Sequence, residues 1–285
     1  MCNRRSLRYV NDLSYANFRF MLGQLPPSTM RRITCEGPGE PLLNQDLLRM
    51  FAYAKKKGFI THTFTNATLI SAYNVNDLLT VLDEITISID GATKGTYEKI
   101  RQGASFRKVI DNTKLLTSTK RRTGACTKII INFVCNQLNF HETEKMVLLA
   151  HRLGVNHLKV TPLREMFAWK DNNEYANSVR KLHVETRPER LLTGAYSLAS
   201  RLGIDFCYHA PKPTFPRCSW PFRACFVTQD GFVTPCCLIP DPDVMNFGNV
   251  FHQPLKEIWN GHAYMKFRER FIHMQPAAVC GKCVT

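Results

Sequence analysis

A chain of 285 residues with 44% hydrophobic composition can bury the core of one large α/β domain, or of a domain with a small appendage, which excludes a disordered protein. No stretch approaches the roughly 18 consecutive apolar residues of a membrane span, and the first residues lack the apolar run of a signal peptide, so no membrane partner and a cytoplasmic setting are expected. The net charge is +15, and its densest basic runs are "AYAKKKG" and "STKRRTG", where helices should end and cations complement the helix dipole; a polyanion-binding surface is the competing reading, and nucleic acid is not expected as a partner on charge alone.

The first pattern, roughly residues 6–25, is helical, with Phe18, Met21, Leu22 and Leu25 on one face. Short β-type runs then alternate with helical patterns. "RRITCEG" precedes "NQDLLRMFAYAKKKG", in which Asn44 is a candidate cap, Leu47, Met50, Phe51 and Ala54 share a face, and Gly58 stops the helix. "FITHTFTN" precedes "NDLLTVLD", and "EITISID" precedes a helical pair ending near Arg122 in which Phe106, Val109, Ile110 and Thr113 align. "KIIINFVCN" precedes "HETEKMVLLAHRLG", and "NHLKVTPL" precedes a longer helical region through "ERLLTGAYSLASRLG"; "IDFCYHA" reads as another strand. This alternation predicts parallel βαβ units, with function at the C-terminal ends of the strands. The initial helical segment reads as a βα unit without its strand.

Around residue 210 the character changes. "HAPKPTFPRCSWPF" is proline-rich and suits a linker. Beyond it, "ACFVTQDGFVTPCC" predicts a hairpin turning at Asp230-Gly231, followed by short helices over "LKEIWNG" and "YMKFRERF" and a final "CGKCVT".

Two groups of residues carry chemistry. Cys218, the adjacent Cys236 and Cys237, and the Cys280/Cys283 pair can bring four sulfurs to one site, which selects zinc or an iron–sulfur cluster; core thiols are the bland alternative. Eleven cysteines in a cytoplasmic setting favour metal binding or chemistry over disulfides. The second group stands at strand ends: Gly37, Gly39 and Glu40, then Thr65 and Asn66, then Ser88 and Asp90, with Arg101 following. Singly, such residues mean a turn. Together they set a carboxylate, an amide, a hydroxyl and a guanidinium around one rim, which suits a ligand bearing both ammonium and carboxylate.

The motifs "GPGEPLLN", "TNATLI", "ISIDGATKGTYEKIRQG" and the tail from "CSWPFRACFVTQDGFVTPCC" to "CGKC" resemble, in order, the radical S-adenosylmethionine enzymes with a C-terminal SPASM or twitch domain. The resemblance implies a partial (β/α)6 TIM-like barrel, here lacking its first strand, over residues 1–210, and a small hairpin-and-helix iron–sulfur domain over 211–285. It implies a catalytic 4Fe–4S cluster, S-adenosylmethionine cleaved by one electron to a 5'-deoxyadenosyl radical, hydrogen-atom abstraction from a peptide or small metabolite, and an external donor such as flavodoxin or ferredoxin. Gly37, Gly39, Glu40 and Pro41 match the family's Gly-Gly-Glu-Pro element with Pro38 inserted, so Glu40 would accept from the cofactor's ammonium. Ser88 and Arg101 would meet its carboxylate, and Asn66, Asp90 and Asn136 would line the pocket. Cys218, Gly231 and Cys236 fit the auxiliary-cluster pattern, with Cys280 and Cys283 as further ligands of an auxiliary 4Fe–4S cluster, which favours iron–sulfur over zinc.

The departure is at the start. "MCNRR" matches the end of the family's CxxxCxxC loop, so Cys2 corresponds to its third cysteine, and the first two are absent from the sequence. One thiolate does not hold a cluster that needs three, so cleavage is expected to be impaired in this chain, whether its start is a clipped gene model or that of a remnant. Cys35, Cys126, Cys135 and Cys207 are expected as small buried hydrophobes. The alternative is a non-catalytic iron–sulfur or zinc protein serving binding or electron transfer.

Overall fold

The computed structural model describes residues 11–25, 31–163, 192–208 and 218–281. All six β-type runs are strands: β1 Arg32–Cys35, β2 Ile60–Thr65, β3 Glu84–Ser88, β4 Lys128–Cys135, β5 His157–Pro162 and β6 Asp205–Tyr208. They form one sheet in chain order, every neighbouring pair parallel. Right-handed crossovers in strict sequence place every connecting helix on the same face, which is how a (β/α) barrel winds. Among the described residues no strand precedes β1; the element before it is helix α1, Tyr15–Gly23.

The crossovers are α2 (Leu47–Lys56), α3 (Val75–Val81), α4 (Lys94–Ile100) with α5 (Phe106–Thr123), α6 (Thr143–Arg152) and α7 (Thr193–Arg201). Alternate strand residues, among them Ile85, Ile87, Ile131, Phe133, Leu158 and Val160, pack with Phe51, Leu78, Val109, Leu116, Met146 and Val147 in one continuous core. Each such side chain contributes about 1.5–3 kcal/mol by leaving water. The intervening strand residues face the other way and include many polar ones, among them Thr34, His62, Glu84, Thr86, Ser88, Asn132 and Lys159.

Basic residues do end helices: Lys55 and Lys56 lie in the last turn of α2, and Lys120, Arg121 and Arg122 in that of α5, which Gly124 closes at φ 68°. Two local expectations are corrected. Helix α1 begins only at Tyr15, because the Ser14 side chain accepts from Asn17 N and so fixes the start there. The N-cap of α2 is Asp46 and not Asn44; Asn44 turns the chain one step earlier, its Oδ1 accepting from Asp46 N at 2.9 Å while its Nδ2 donates to Leu13 O at 2.8 Å. The linker expected around residue 210 and the front of the region before α7 lie outside the described residues.

The tail comprises α8 (Trp220–Arg223), the antiparallel pair β7 (Phe226–Val227) and β8 (Val233–Thr234), α9 (Leu255–Asn260), α10 (His262–Ile272) and α11 (Ala278–Gly281). Gly231 makes the turn at φ +85°, and a Cβ there would stand 2.5 Å from Phe251 Cδ2 and 2.6 Å from Asn249 Oδ1. A separate core of Val233, Val250, Leu255, Ile258, Tyr264, Phe267 and Phe271 holds this part together, with Phe247 stacked on Tyr264 at 4.0 Å. Helix α1 clips it to the barrel: Gln24 donates to Val250 O at 3.1 Å and accepts from Leu255 N at 2.7 Å.

Candidate functional site

Beyond β1 the chain enters the Gly37–Gly39–Glu40–Pro41 loop. Glu40 caps the single 3-10 turn Pro41–Leu43, which Pro41 opens with a φ suited to a first helical position. Its Oε1 accepts from Leu42 N at 3.2 Å and Thr65 Oγ1 at 2.8 Å, and its Oε2 from Asn66 N at 2.7 Å. An ionised carboxylate offers about four lone-pair sites, so three donors aim this one and leave Oε2 room for one more. The loop around it is open at Gly39, where an added Cβ would meet nothing within 4 Å, and abuts the tail hairpin at Gly37, whose Cβ would lie 3.9 Å from Phe226. Asn66 is drawn to Glu40 through its backbone, while its Oδ1 accepts from Thr68 N and Oγ1 at 2.9 and 2.6 Å.

Asp90, Arg101 and Asn136 form a second group, tying the loops after β3 and β4. Asp90 is fully buried; its Oδ2 accepts from Arg101 Nε and Nη2, each at 2.7 Å, and its Oδ1 from Val134 N at 2.9 Å. Asn136, also fully buried, donates from its N to Asn139 Oδ1 at 2.7 Å and accepts from Leu138 N at 2.9 Å, and Asn139 in turn donates to Asp90 O at 3.0 Å. Asp90 and Asn136 were expected to line a pocket. They expose no surface, and their geometry shapes the rim from beneath it.

The polar face of the sheet supplies what strand-end motifs alone did not show. Ser88, the last residue of β3, lies in one register row with Asn132, Lys159 and Cys207 across four strands. Two rows lower on that face, in register with Thr34 and Glu84, His62 bridges Thr34 Oγ1 at 3.3 Å and Thr86 Oγ1 at 2.9 Å. Burial pushes the His62 imidazole down to about 4, helped by Arg32 and Lys159 and opposed by Glu84, so it is neutral at pH 7. Arg32 is itself paired with Glu84, at 2.6 and 2.9 Å. Lys159 forms no salt bridge with a described residue, and its charge reaches His62, Glu36 and Cys207. The missed residues His62, Asn132 and Lys159 had a signal: each is the polar member of an alternating strand.

The tail gathers thiols. Cys218, Cys225 and Cys280 pack against its core, and Cys236 stands two residues past β8. Cys225 and Cys236 both lie near the Tyr264 phenol, which is pushed above its ordinary value first by burial and then by these two thiols. Burial also pushes Cys225 up to about 11, against the opposing charge of Arg268. Cys237 points elsewhere, hydrogen-bonded to Glu36 at the end of β1, so the adjacent cysteines take different surroundings. Among the described residues no three His, Cys, Asp or Glu side chains are grouped as a metal site; Cys2 and Cys283 lie outside them. The chemistry of the set nonetheless fits an iron–sulfur cluster: soft thiols around one small core, with Cys225 as a member that the sequence had not singled out. Its signal was the spacing in "CSWPFRAC", where the short helix α8 separates two cysteines. Of the four cysteines expected to be buried, Cys135 is buried and Cys35 and Cys207 partly so, whereas Cys126 is exposed, on the loop leading into β4 after α5 has ended.

Residues 218–284 match the model of the SPASM domain, an iron-sulfur cluster-binding domain. The PqqA peptide cyclase of Xanthomonas campestris is 23% identical over 262 residues, covering 90% of this chain and 68% of that protein; that of Gluconobacter oxydans is 26% identical over 264 residues, covering 89% and 69%. Streptococcus suis SuiB bound to S-adenosylmethionine superposes with a TM-score of 0.71 at 15% identity over 92% of this chain and 62% of its own. The chain has the fold of the radical S-adenosylmethionine enzymes and carries a SPASM domain. A further structure, anSMEcpe with bound AdoMet, shares that fold at a TM-score of 0.64 and 15% identity, covering 93% of this chain and 78% of its own. The chain thus spans about two thirds of the curated relatives' length and less than two thirds of SuiB's. None of its helices is long and apolar enough to cross a membrane, among the described residues.

Proposed function

We propose that this chain binds S-adenosylmethionine at the C-terminal rim of the sheet and takes part in the radical modification of a peptide. The observation that carries the reading is Glu40: a carboxylate aimed by three donors, with acceptor capacity left on Oε2, in the loop that follows β1 of this chain. When bound, the cofactor and its 4Fe–4S cluster supply hydrogen-atom-abstracting chemistry, and the protein supplies binding, orientation and exclusion of water. In this assignment Glu40 accepts from the ammonium of the ligand. Ser88 and Arg101 serve its carboxylate, with Asp90 holding Arg101 in place, and Lys159 adds positive potential in the row that Ser88 begins. Gly37, Gly39 and Pro41 shape the loop, and Asn66 and Asn136 fix the neighbouring turns. Cys2 belongs to the catalytic cluster, and Cys218, Cys225, Cys236, Cys280 and Cys283 to the auxiliary site.

A peptide substrate is supported by the relatives, which are named peptide cyclases, and by SuiB, whose structure bound to the precursor peptide SuiA has the same fold at a TM-score of 0.67. A cytoplasmic setting and a flavodoxin- or ferredoxin-type donor belong to the same proposal. Equilibrium binding of S-adenosylmethionine to the anaerobically reconstituted chain tests it. A charge-assisted hydrogen bond is worth about 1.5–3 kcal/mol, so Glu40→Gln should weaken binding by roughly 10- to 100-fold. Equal affinity in a variant that melts like the parent would remove Glu40 from the site.

A further inference from the structure

The SPASM domain buries two polar atoms for which the described residues offer no hydrogen-bond partner, Arg268 Nη2 and Thr234 Oγ1. A buried donor left unmet is costly, so a fold that keeps two of them in one small domain calls for a group that completes them. Arg268 is held on every other side. Its Nε donates to Pro221 O at 2.7 Å, its Nη1 donates to Trp259 O at 2.6 Å, and its guanidinium lies 4.1 Å from the Trp259 ring centroid and 4.2 Å from that of Tyr264. Clamped between two rings and two carbonyls, the planar fork cannot swing Nη2 out to water.

Both residues that carry an orphaned atom are linked to the thiols, Arg268 through its charge and Thr234 through its strand register. The charge of Arg268 bears on Cys225, and Pro221 lies between Cys218 and Cys225 in the chain. Thr234 is paired across the hairpin with Phe226, the residue after Cys225, and stands two residues before Cys236. Tyr264, which packs on Arg268, feels both Cys225 and Cys236.

We propose that Arg268 Nη2 and Thr234 Oγ1 donate hydrogen bonds to the auxiliary iron–sulfur cluster of the SPASM domain and raise its reduction potential. This rests on the reading that the domain's cysteines hold such a cluster. A thiolate-ligated cluster is anionic and gains a further negative charge on one-electron reduction, so a fixed cation and preset donors stabilise its reduced form more than its oxidised form. The two side chains are positioning residues: they set the potential without being ligands.

The test uses the full chain reconstituted anaerobically, as wild type, Thr234→Val, Arg268→Lys and Cys236→Ser. Iron and acid-labile sulfide are counted, and the midpoint potential of the cluster signal lost in Cys236→Ser is read during a dithionite titration with redox mediators. Thr234→Val, which keeps the side-chain shape, should retain wild-type iron and titrate at lower potential. Arg268→Lys should shift the same way, and the pair together should lower the reduced-to-oxidised ratio at fixed potential about tenfold, equivalent to about 59 mV for a one-electron couple. Unchanged potential in Thr234→Val and in an iron-replete Arg268→Lys overturns the inference while leaving the cluster assignment intact, the orphaned atoms then being served by buried water. If Arg268→Lys fails to load iron, Thr234→Val alone decides. Wild-type protein without iron and sulfide, or with content indifferent to Cys236→Ser, overturns the cluster assignment and the inference with it.

Discussion

Replacing His62 with glutamine should abolish a specific part of the acid sensitivity of this fold. His62 sits on the polar face of the sheet, 8% exposed, with each ring nitrogen engaged by a threonine hydroxyl. Burial is the main cause of its lowered value of about 4, against 6.5 ordinarily; Arg32 and Lys159 push the same way and Glu84 opposes them. The unfolded chain therefore takes up a proton at this site as pH falls through 6.5, while the folded chain refuses it until about 4. Stability from this group is fully present above 6.5 and is lost as pH falls towards 4. A gap of about 2.5 pH units at about 1.36 kcal/mol each makes the full loss about 3 kcal/mol, and between pH 7.5 and 5 about 2 kcal/mol. Urea unfolding of the apo protein at those two pH values measures it, with the glutamine variant subtracting the contribution of every other group. The variant should lose about 2 kcal/mol less than the wild type over that interval. Identical pH dependence in the two proteins would show that the imidazole is solvated in the folded state and would refute the account. A neutral His62 also matters for function, because it adds no positive charge to a part of the sheet where Lys159, Lys128 and Arg32 already supply it.

Three further outcomes follow from packing and pairing. Gly91→Ala would set a Cβ 2.5 Å from Tyr97 N and 2.8 Å from Tyr97 Cα, both backbone, so α4 must shift; a loss above about 2 kcal/mol in urea is expected, and a neutral change would show that α4 is not seated there. Glu142, 2% exposed, accepts from Ala92 N at 2.7 Å, Thr93 Oγ1 at 2.6 Å and Thr96 Oγ1 at 2.9 Å; burial raises its value, but the hydrogen bonds prevail and hold it below the ordinary one, so its contribution is present above pH 4.5 and fades as pH falls below it, and Glu142→Gln should cost about 2 kcal/mol at pH 7 by the same measurement. Arg101→Met leaves the fully buried Asp90 carboxylate without its counter-ion and should cost about 3–5 kcal/mol, whereas Arg101→Met with Asp90→Asn should recover part of it; strict additivity of the two changes would show that the pair is not coupled.

The six strands, their crossover helices and the tail hairpin were legible in the sequence because each is written in local periodicity. Strand residues alternate every second position, helix faces repeat near every fourth, and Asp230-Gly231 marks a turn within a few residues of the chain. Glu40 and Asn66 were legible for a related reason: both follow a strand directly, and parallel strands in sequential order bring such positions to one rim. What the sequence does not state is how each polar group is already engaged. Arg101 was read as a guanidinium available to a ligand, yet two of its donors are engaged by Asp90, eleven residues away and sealed from water. Lys159 is, in the sequence, one polar residue within a strand, whereas its register places it beside Asn132, which itself pairs with Ser88. Charge at a candidate site is therefore a property of the pairing network, which arises from contacts distant in sequence. Here that network shifts the exposed positive charge of the rim from the expected arginine towards a lysine inside the sheet, and a ligand carboxylate should feel the change in Lys159→Met as well as in Arg101→Met. Loss of S-adenosylmethionine affinity in the arginine variant alone would show that Lys159 serves the substrate or nothing at all.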